Sequence, residues 1–252
     1  MSTLRKSDIL LLLRNEGKAT VDDLASHFGV TVQTVRRDLT ELEHEGRIAR
    51  VHGGATLRDG VTNIEYDDRR QLNANAKDRI GKLVASHIPD NSSLFMNIGT
   101  TTEAVARALL DHDNLTVVTN NMNVANILAA NPRCEIILSG GILRRTDGGL
   151  VGDIATEVIE QFKVDIAIIG ASALDLDGDL LDFDLREVRV SKAIIKQARR
   201  IFLATDGSKF DRCAPVRITS MAQIDAVFTD VALPGDLQHR CEGWGTEVHL
   251  AY

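Results

Sequence analysis

Cysteine is scarce in this 252-residue chain, and its three cysteines, Cys134, Cys213 and Cys241, are scattered and odd in number. No metal-ligand or redox spacing joins them, so a disulfide framework is excluded and a reducing cytoplasm fits best. Long apolar runs are also missing. The longest, Ile9 to Leu13, is far too short to span a bilayer, and the apolar stretch after Arg5 and Lys6 is too short for a secretory signal. Internal repeats and low-complexity tracts are absent. No metal or cofactor site is expected. The remainder is ordinary for a soluble globular protein, with 44% hydrophobic and 26% charged residues. The length suggests two domains, each able to bury a core.

The formal net charge of −7 is unevenly spread. Residues 1–58 hold 9 Lys+Arg and 8 Asp+Glu, a net of +1. Subtraction from the totals of 29 and 36 leaves 20 and 28 for the rest, a net of −8. So small an excess says little about partners. What matters is where the cations lie within the segment.

The first 57 residues read as helix, helix, helix, hairpin. Ser7 to Asn15 forms a leucine-rich helix closed by Gly17, and Val21 to Phe28 a second, stopped by Gly29 in left-handed conformation. Thr31 caps a third helix running to about His44. After Gly46, "RIARVHGGAT" alternates like two short strands about a turn at His52-Gly53-Gly54. Ala25 lets the second and third helices cross closely, and Val30 plugs the space between them. Val35, Leu39 and Leu42 form the buried stripe of the third helix. Thr31, Gln33, Thr34, Arg36 and Arg37 are left on its other sides.

That set suits the major groove of DNA. Gln pairs with adenine and Arg with guanine, each good bidentate pair contributing roughly 1–3 kcal/mol of discrimination. Thr and Arg also hold phosphates and fix register. The hairpin adds Arg47, Arg50 and His52 beside the groove, while Asp22, Asp23, Glu41, Glu43 and Glu45 fall away from the cationic face. A solvated arginine pair on a protein-interaction module is the other reading of the same residues.

Residues 58–74 are polar and aperiodic and read as a linker, although Ile64 and Tyr66 could dock. Asn75 to His87 is helical. From Ser92, near-continuous apolar strands alternate with helices: "SLFMNI", "LTVVTN", "CEIILS", "VDIAIIG", "RIFLAT", "AVFTD" and "EVHLAY". This is the pattern of a parallel sheet covered on both faces, so residues 75–252 are expected to form an α/β domain.

The ends of these strands are polar or glycine-rich. "FMNIGTTTEAVARAL" leads from a strand through Gly99, Thr100 and Thr101 into a helix, a ready seat for phosphate, although one threonine merely capping the helix also fits. Asn120, Asn121, Gly140, Gly141, Gly170, Asp206, Ser208 and Lys209 end other strands, at the edge where open parallel sheets bind ligands. "RRTDGGLVGD" and "DGDLLDFDLREVRVSK" add Arg144, Asp147, Asp182, Asp184, Glu187 and Lys192. The Asp-Gly pairs also serve as turn formers, and Glu187 with Arg189 or Lys192 as ordinary helix-surface charge.

"VTVQTVRRDLTELEHEGRIARVHGGA" resembles the winged helix-turn-helix of the DeoR family of bacterial transcription regulators, and the resemblance covers residues 1–57. "IGTTTEAVA", "TNN", "SGG", "DGG" and "SKF" extend it over residues 76–230, similar to that family's sugar-phosphate sensor, whose fold resembles phosphosugar isomerases. The resemblance implies a DNA-binding repressor rather than an enzyme, a homodimer or homotetramer on double-stranded operator DNA. Gly99, Thr100 and Thr101 would hold phosphate; Asn120, Asn121, Gly140 and Gly141 would line the pocket; Asp147, Asp184, Glu187, Lys192 and Lys209 would surround the polyol. "NNMNVANILAANPRCEIILSGGILRRTDGGLVGD" is most similar to the branch governing glycerol 3-phosphate use, which implies that compound as effector. A different sugar phosphate, or an isomerase with a DNA-binding appendage, is the alternative.

Overall fold

The structure, a computed structural model, describes residues 5–6, 8–10, 12–13, 18–45, 47–51, 53–57 and 66–252. The stops at Gly17 and Gly46, the turn residue His52 and the first part of the expected linker, 58–65, lie outside the described residues. Two compact units emerge, one holding the described residues up to Leu57 and the other nearly all of the rest.

In the first unit, the described residues between 5 and 13 are helical, and Ile9, Leu10 and Leu13 are buried. There follow β1 (Lys18–Thr20), α1 (Val21–Phe28), α2 (Val32–His44), β2 (Ile48–Val51) and β3 (Gly54–Leu57). β3 lies antiparallel between β1 and β2. Thr20 caps α1 by accepting from the Asp23 amide, and Gly29 ends it in the left-handed region at φ 62, a conformation that costs glycine nothing. The resulting turn lets Leu24 meet Val35, Leu39 and Leu42 in one core with Ile48 and Ala55. Asp38 is fully buried on the same helix and pairs with Arg5 Nε at 2.5 Å.

The second unit opens with α3 (Tyr66–Gln71), inside the stretch read as linker, and α4 (Ala74–Ala85). β4 (Ser93–Met96), α5 (Thr100–Ala108), β5 (Leu115–Thr119), α6 (Met122–Leu128) and β6 (Cys134–Leu138) come next. A hairpin of β7 (Ile142–Arg144) and β8 (Gly149–Val151) leads to α7 (Asp153–Glu160) and β9 (Val164–Ile169). β10 (Ala173–Leu174), β11 (Asp179–Asp182), α8 (Leu185–Lys196), β12 (Ala198–Ala204), β13 (Val216–Ser220), β14 (Ala226–Thr229), α9 (Gly235–Trp244) and β15 (Glu247–Leu250) complete the chain.

Seven strands form one wholly parallel sheet in the order β15-β14-β12-β9-β4-β5-β6, as the apolar runs predict. Side chains alternate between its faces. Phe95, Val118, Ala167, Ile169, Leu203 and Val227 join a core with Val188 and Ile194 of α8 and Leu237 of α9. Leu94, Met96, Val117, Ile168, Phe202 and Phe228 join another with Ile80 and Val84 of α4 and Val105 of α5. Each buried Val, Leu, Ile, Phe or Met side chain among these contributes about 1.5–3 kcal/mol. The approach of α4 to α5 needs glycine: a Cβ on Gly81 would lie 2.6 Å from the Ala104 carbonyl oxygen.

The strand order places the site. The chain runs outward from β4 through β5 to β6, then returns to β4's other side at β9 and runs outward again. Between β4 and β9 the connections part in opposite directions, the arrangement at which open parallel sheets take their ligands, beyond the strands' C-terminal ends. Asn97 ties the two strands together there. Its side chain accepts from the Gly170 amide at 2.9 Å and donates to the Gly170 carbonyl at 3.2 Å, continuing the ladder past Met96.

Candidate functional site

On the first unit, Thr31 caps α2 by accepting from the Thr34 amide at 3.2 Å, and its hydroxyl lies 2.9 Å from that of Thr34. Gln33, Arg36 and Arg37 are exposed and Thr34 is half-buried, on the sides not taken by the Val35–Leu39–Leu42 stripe. Arg36 has no carboxylate within ion-pair distance among the described residues. Arg37 lies 3.9 Å from Glu41, and exposed Arg50 of β2 lies 3.9 Å from Glu43. The two acids are thus interleaved with the outer cations instead of falling away from them. His52, expected beside this face, lies outside the described residues.

On the second unit, the C-terminal ends of β4, β5 and β12 carry an unusual density of buried polar side chains. Thr100, Thr101, Thr102, Glu103, Asn120, Asn121, Thr205 and Asp206 are all buried. The first N–H groups of α5 have no partner within the helix and face this edge. Thr102 turns back to the Asn97 and Gly99 carbonyls at 2.9 and 2.7 Å, while the Thr100 hydroxyl lies 3.4 Å from the Arg69 carbonyl. Several buried atoms have no hydrogen-bond partner: Asn120 Oδ1, Asn121 Nδ2, Thr205 Oγ1, Asp206 Oδ2 and Arg69 Nε. Such groups are costly in a folded chain unless something else meets them.

One cation anchors the charged wall. Arg144, at the end of β7, grips Asp147 with Nε at 2.9 Å and Nη2 at 2.7 Å. It also reaches Asp184 at 3.0 Å and Glu187 at 2.5 Å. Burial opposes the Arg144 charge, but its bonds to Asp147 and Glu187 outweigh burial and raise its pKa further, so it stays cationic. Asp184 is held below the usual carboxylate range despite burial, because it caps α8 through the Arg186 amide and pairs with Arg186 and Arg144.

Glu187 behaves oppositely although it shares the same guanidinium. Burial and the nearby Asp182 push it up to about 8, more than Arg144 pulls it down. The folded chain therefore keeps the Glu187 proton to about pH 8, whereas an unfolded chain releases it near 4.5. Stability from this group is complete below the lower value and is lost as pH rises through the upper one. Glu187→Gln keeps a neutral side chain and is expected to flatten that decline. Urea midpoints of both proteins between about pH 5 and about pH 9 check it.

Residues of α3 and α4 that the sequence did not mark as site residues pack at the same strand ends. The Tyr66 hydroxyl lies 2.9 Å from each oxygen of buried Glu103 and accepts from Asn123 Nδ2 at 2.9 Å. Burial and that carboxylate drive the phenol well above its ordinary range. Arg69 reaches Asp147 at 3.3 Å. Lys77, buried in α4, donates to the Arg69 and Leu72 carbonyls at the end of α3. Asn73 donates to Asp206 at 3.0 Å. Asp206 is buried, which opposes its charge, but Lys209 and bonds from Ser208 and Asn73 hold it below the usual range. A short polar helix aimed at polar partners has no apolar period, so only the lone tyrosine hinted at it.

Comparison with known proteins covers both units. A model described as DeoR-like helix-turn-helix domain matches residues 5–60, and one described as DeoR C terminal sensor domain matches residues 72–231. The chain belongs to the DeoR family. It is 46% identical over 232 residues to the glycerol-3-phosphate regulon repressor of Escherichia coli, covering 92% of each chain. It is 43% identical to the repressor of that name from Haemophilus influenzae, over 90% of this chain and 89% of that one. The HTH-type transcriptional repressor CsqR of Escherichia coli is 39% identical over 98% of this chain and 94% of its own. A solved ribose 5-phosphate isomerase A from Neisseria gonorrhoeae matches 56% of this chain and 54% of its own, at 14% identity and a TM-score of 0.39.

The DeoR sensor unit brings some of the sequence's expected site residues together and leaves others apart. Gly99, Thr100, Thr101, Asn120 and Asn121 gather at neighbouring strand ends, and Asp147, Asp184 and Glu187 share Arg144. Lys209 is buried in the turn after β12, near Asp206. Gly140 and Gly141 are exposed at the start of the β7–β8 hairpin; a Cβ on Gly141 would lie 2.7 Å from the Val151 carbonyl oxygen, so this glycine lets the hairpin close. Lys192 is exposed on α8, outside the Arg144 cluster. Among the described residues there is no group of His, Cys, Asp and Glu able to hold a metal ion, and no helix long and apolar enough to cross a membrane.

Proposed function

We propose that this DeoR-family chain is a transcriptional repressor that grips operator DNA with the exposed face of α2 and releases it when glycerol 3-phosphate fills the crevice. Thr31, Gln33, Thr34, Arg36, Arg37 and Arg50 meet the duplex. The phosphoryl group sits on the first turn of α5, at Gly99, Thr100 and Thr101, where the helix dipole and free N–H groups favour an anion. Asn120 and Asn121 line the floor, and the hydroxyls face Asp147, Asp184 and Glu187. The protein works in the cytoplasm as a homodimer or homotetramer, which presents two α2 helices to half-sites about 34–36 Å apart.

The observation that carries this reading is that likeness to glycerol-3-phosphate regulon repressors runs through both units at once. Phosphosugar isomerisation fits less well, because glycerol 3-phosphate offers no carbonyl to isomerise. Fluorescence anisotropy of the full chain on operator DNA at fixed salt tests the proposal. A coupling of about 1–3 kcal/mol corresponds to a roughly 5- to 150-fold loss of operator affinity at saturating ligand, and operator DNA must weaken ligand binding by the same factor. Unchanged affinity at millimolar glycerol 3-phosphate removes this effector.

A further inference from the structure

Asp38 stands where the helix pattern calls for an apolar side chain. It lies between Val35 and Leu42 on the inward stripe of α2, and it is fully buried there. A buried carboxylate is costly unless it is paired. Its partner comes from 33 positions earlier in the chain: Arg5 Nε donates to Asp38 Oδ2 at 2.5 Å, while Oδ1 is buried with no hydrogen-bond partner. The carboxylate therefore depends on that one guanidinium. The next residue, Lys6, reaches Glu41 at 2.7 Å and Glu45 at 3.0 Å. Asp38, Glu41 and Glu45 follow one another at helical spacing and line one side of α2. Glu41 also lies 3.9 Å from Arg37, so Lys6 holds the acid that would otherwise compete for that arginine. Two cations from the start of the unit are thus committed to the acids of α2.

Apolar contact is non-directional. Val35, Leu39 and Leu42 hold α2 against the core, but such packing sets the rotation of a helix about its axis only loosely. A charge-assisted bond to a single oxygen has a direction. We propose that Arg5, acting through Asp38, is a positioning residue that fixes the rotation of α2, and with it the aim of Gln33, Arg36 and Arg37, so that the chain prefers its operator to other DNA. The inference rests on the functional reading above, in which the exposed face of α2 meets the duplex. Contacts to base edges need closely placed side chains, whereas attraction to phosphates carries no sequence information. Loss of the Arg5–Asp38 pair therefore erodes sequence preference and leaves general attraction to DNA in place.

Anisotropy titrations of the full chain on operator DNA and on an unrelated duplex of equal length test this with wild type, Asp38→Asn, Arg5→Gln and Arg5→Lys. Asp38→Asn removes a negative charge next to Arg37 in the chain. If that charge alone mattered, both affinities would rise together. Positioning predicts that operator affinity falls while affinity for the unrelated duplex holds or rises. Their ratio then drops about tenfold or more, the size of one mismatched base pair. Arg5→Gln is expected to lower the ratio in the same way, and Arg5→Lys to restore part of it by returning the charge. Urea melts establish that each protein is folded during the titration. Arg5→Leu combined with Asp38→Leu leaves no buried charge, so it is expected to melt near wild type and still show the lowered ratio. A ratio within about twofold of wild type in either Asp38→Asn or this double variant overturns the inference. So does an equal loss on both duplexes in Arg5→Gln with a shallower salt slope, which makes Arg5 a phosphate contact. A wild-type chain that prefers neither duplex sinks the functional reading and the inference with it, whereas a preference kept by every variant sinks the inference alone.

Discussion

Arg36→Ala together with Arg37→Ala is expected to weaken operator binding on the order of 10³-fold. Each arginine that reads a guanine or clasps a phosphate contributes about 1–3 kcal/mol, and the two are adjacent on the exposed face of α2. Neither enters the core, so thermal stability of the variant stays within about 0.5 kcal/mol of wild type. Arg37 gives up only a long, exposed contact to Glu41 at 3.9 Å, an interaction of small worth. The loss therefore reports on DNA rather than on folding. Anisotropy titrations across a salt series check it: the variant's salt slope is shallower as well, because fewer counterions are released. A double variant with wild-type affinity would place the recognition surface elsewhere.

Which face of α2 is exposed was legible because apolar period and turn chemistry agree over residues 20–44. Val35, Leu39 and Leu42 had to face inward, which decided where Gln33, Arg36 and Arg37 pointed. The large sheet was legible for a similar reason: runs such as "VDIAIIG" are apolar on both faces and become central strands. The order of strands was not written in any local pattern, since β9 pairs with β4 across a long stretch of chain. α3 was missed because it buries no residue and carries no apolar period. β13 was also missed, as an alternating strand in the minor antiparallel sheet β10-β11-β13. The carboxylates around Arg144 could be read as residue types. Their sharing of one guanidinium could not, because the hairpin brings Arg144 to Asp184 and Glu187 from 40 and 43 positions away.

Arg144→Ala is expected to destabilise the sensor unit by about 3–5 kcal/mol, the usual penalty for removing one partner from a buried ionic group. Asp147, Asp184 and Glu187 would lose their common cation, with buried Asp182 beside them. In a unit of this size, the melting temperature falls by roughly 10 °C. The deficit depends on pH. Carboxylates stranded together hold protons to higher pH than in the unfolded chain, so the variant recovers stability in acid and loses it as pH rises. Calorimetric melts near pH 5 and near pH 8 separate this from a simple cavity, which would cost the same at both. A loss below about 1 kcal/mol at both values would mean the acids are held apart by something other than Arg144.

The pairing of β4 with β9 also sets a timetable. The first unit builds its apolar core from residues between Ile9 and Ala55, all of which leave the ribosome early. β4 is finished at Met96, but β9 begins only at Val164, so the candidate site lacks a wall until most of the polypeptide has been synthesised. During that interval a nascent molecule can already present the exposed face of α2, while the effector site proposed above is still without one of its walls. A product truncated before β9 would never acquire that wall.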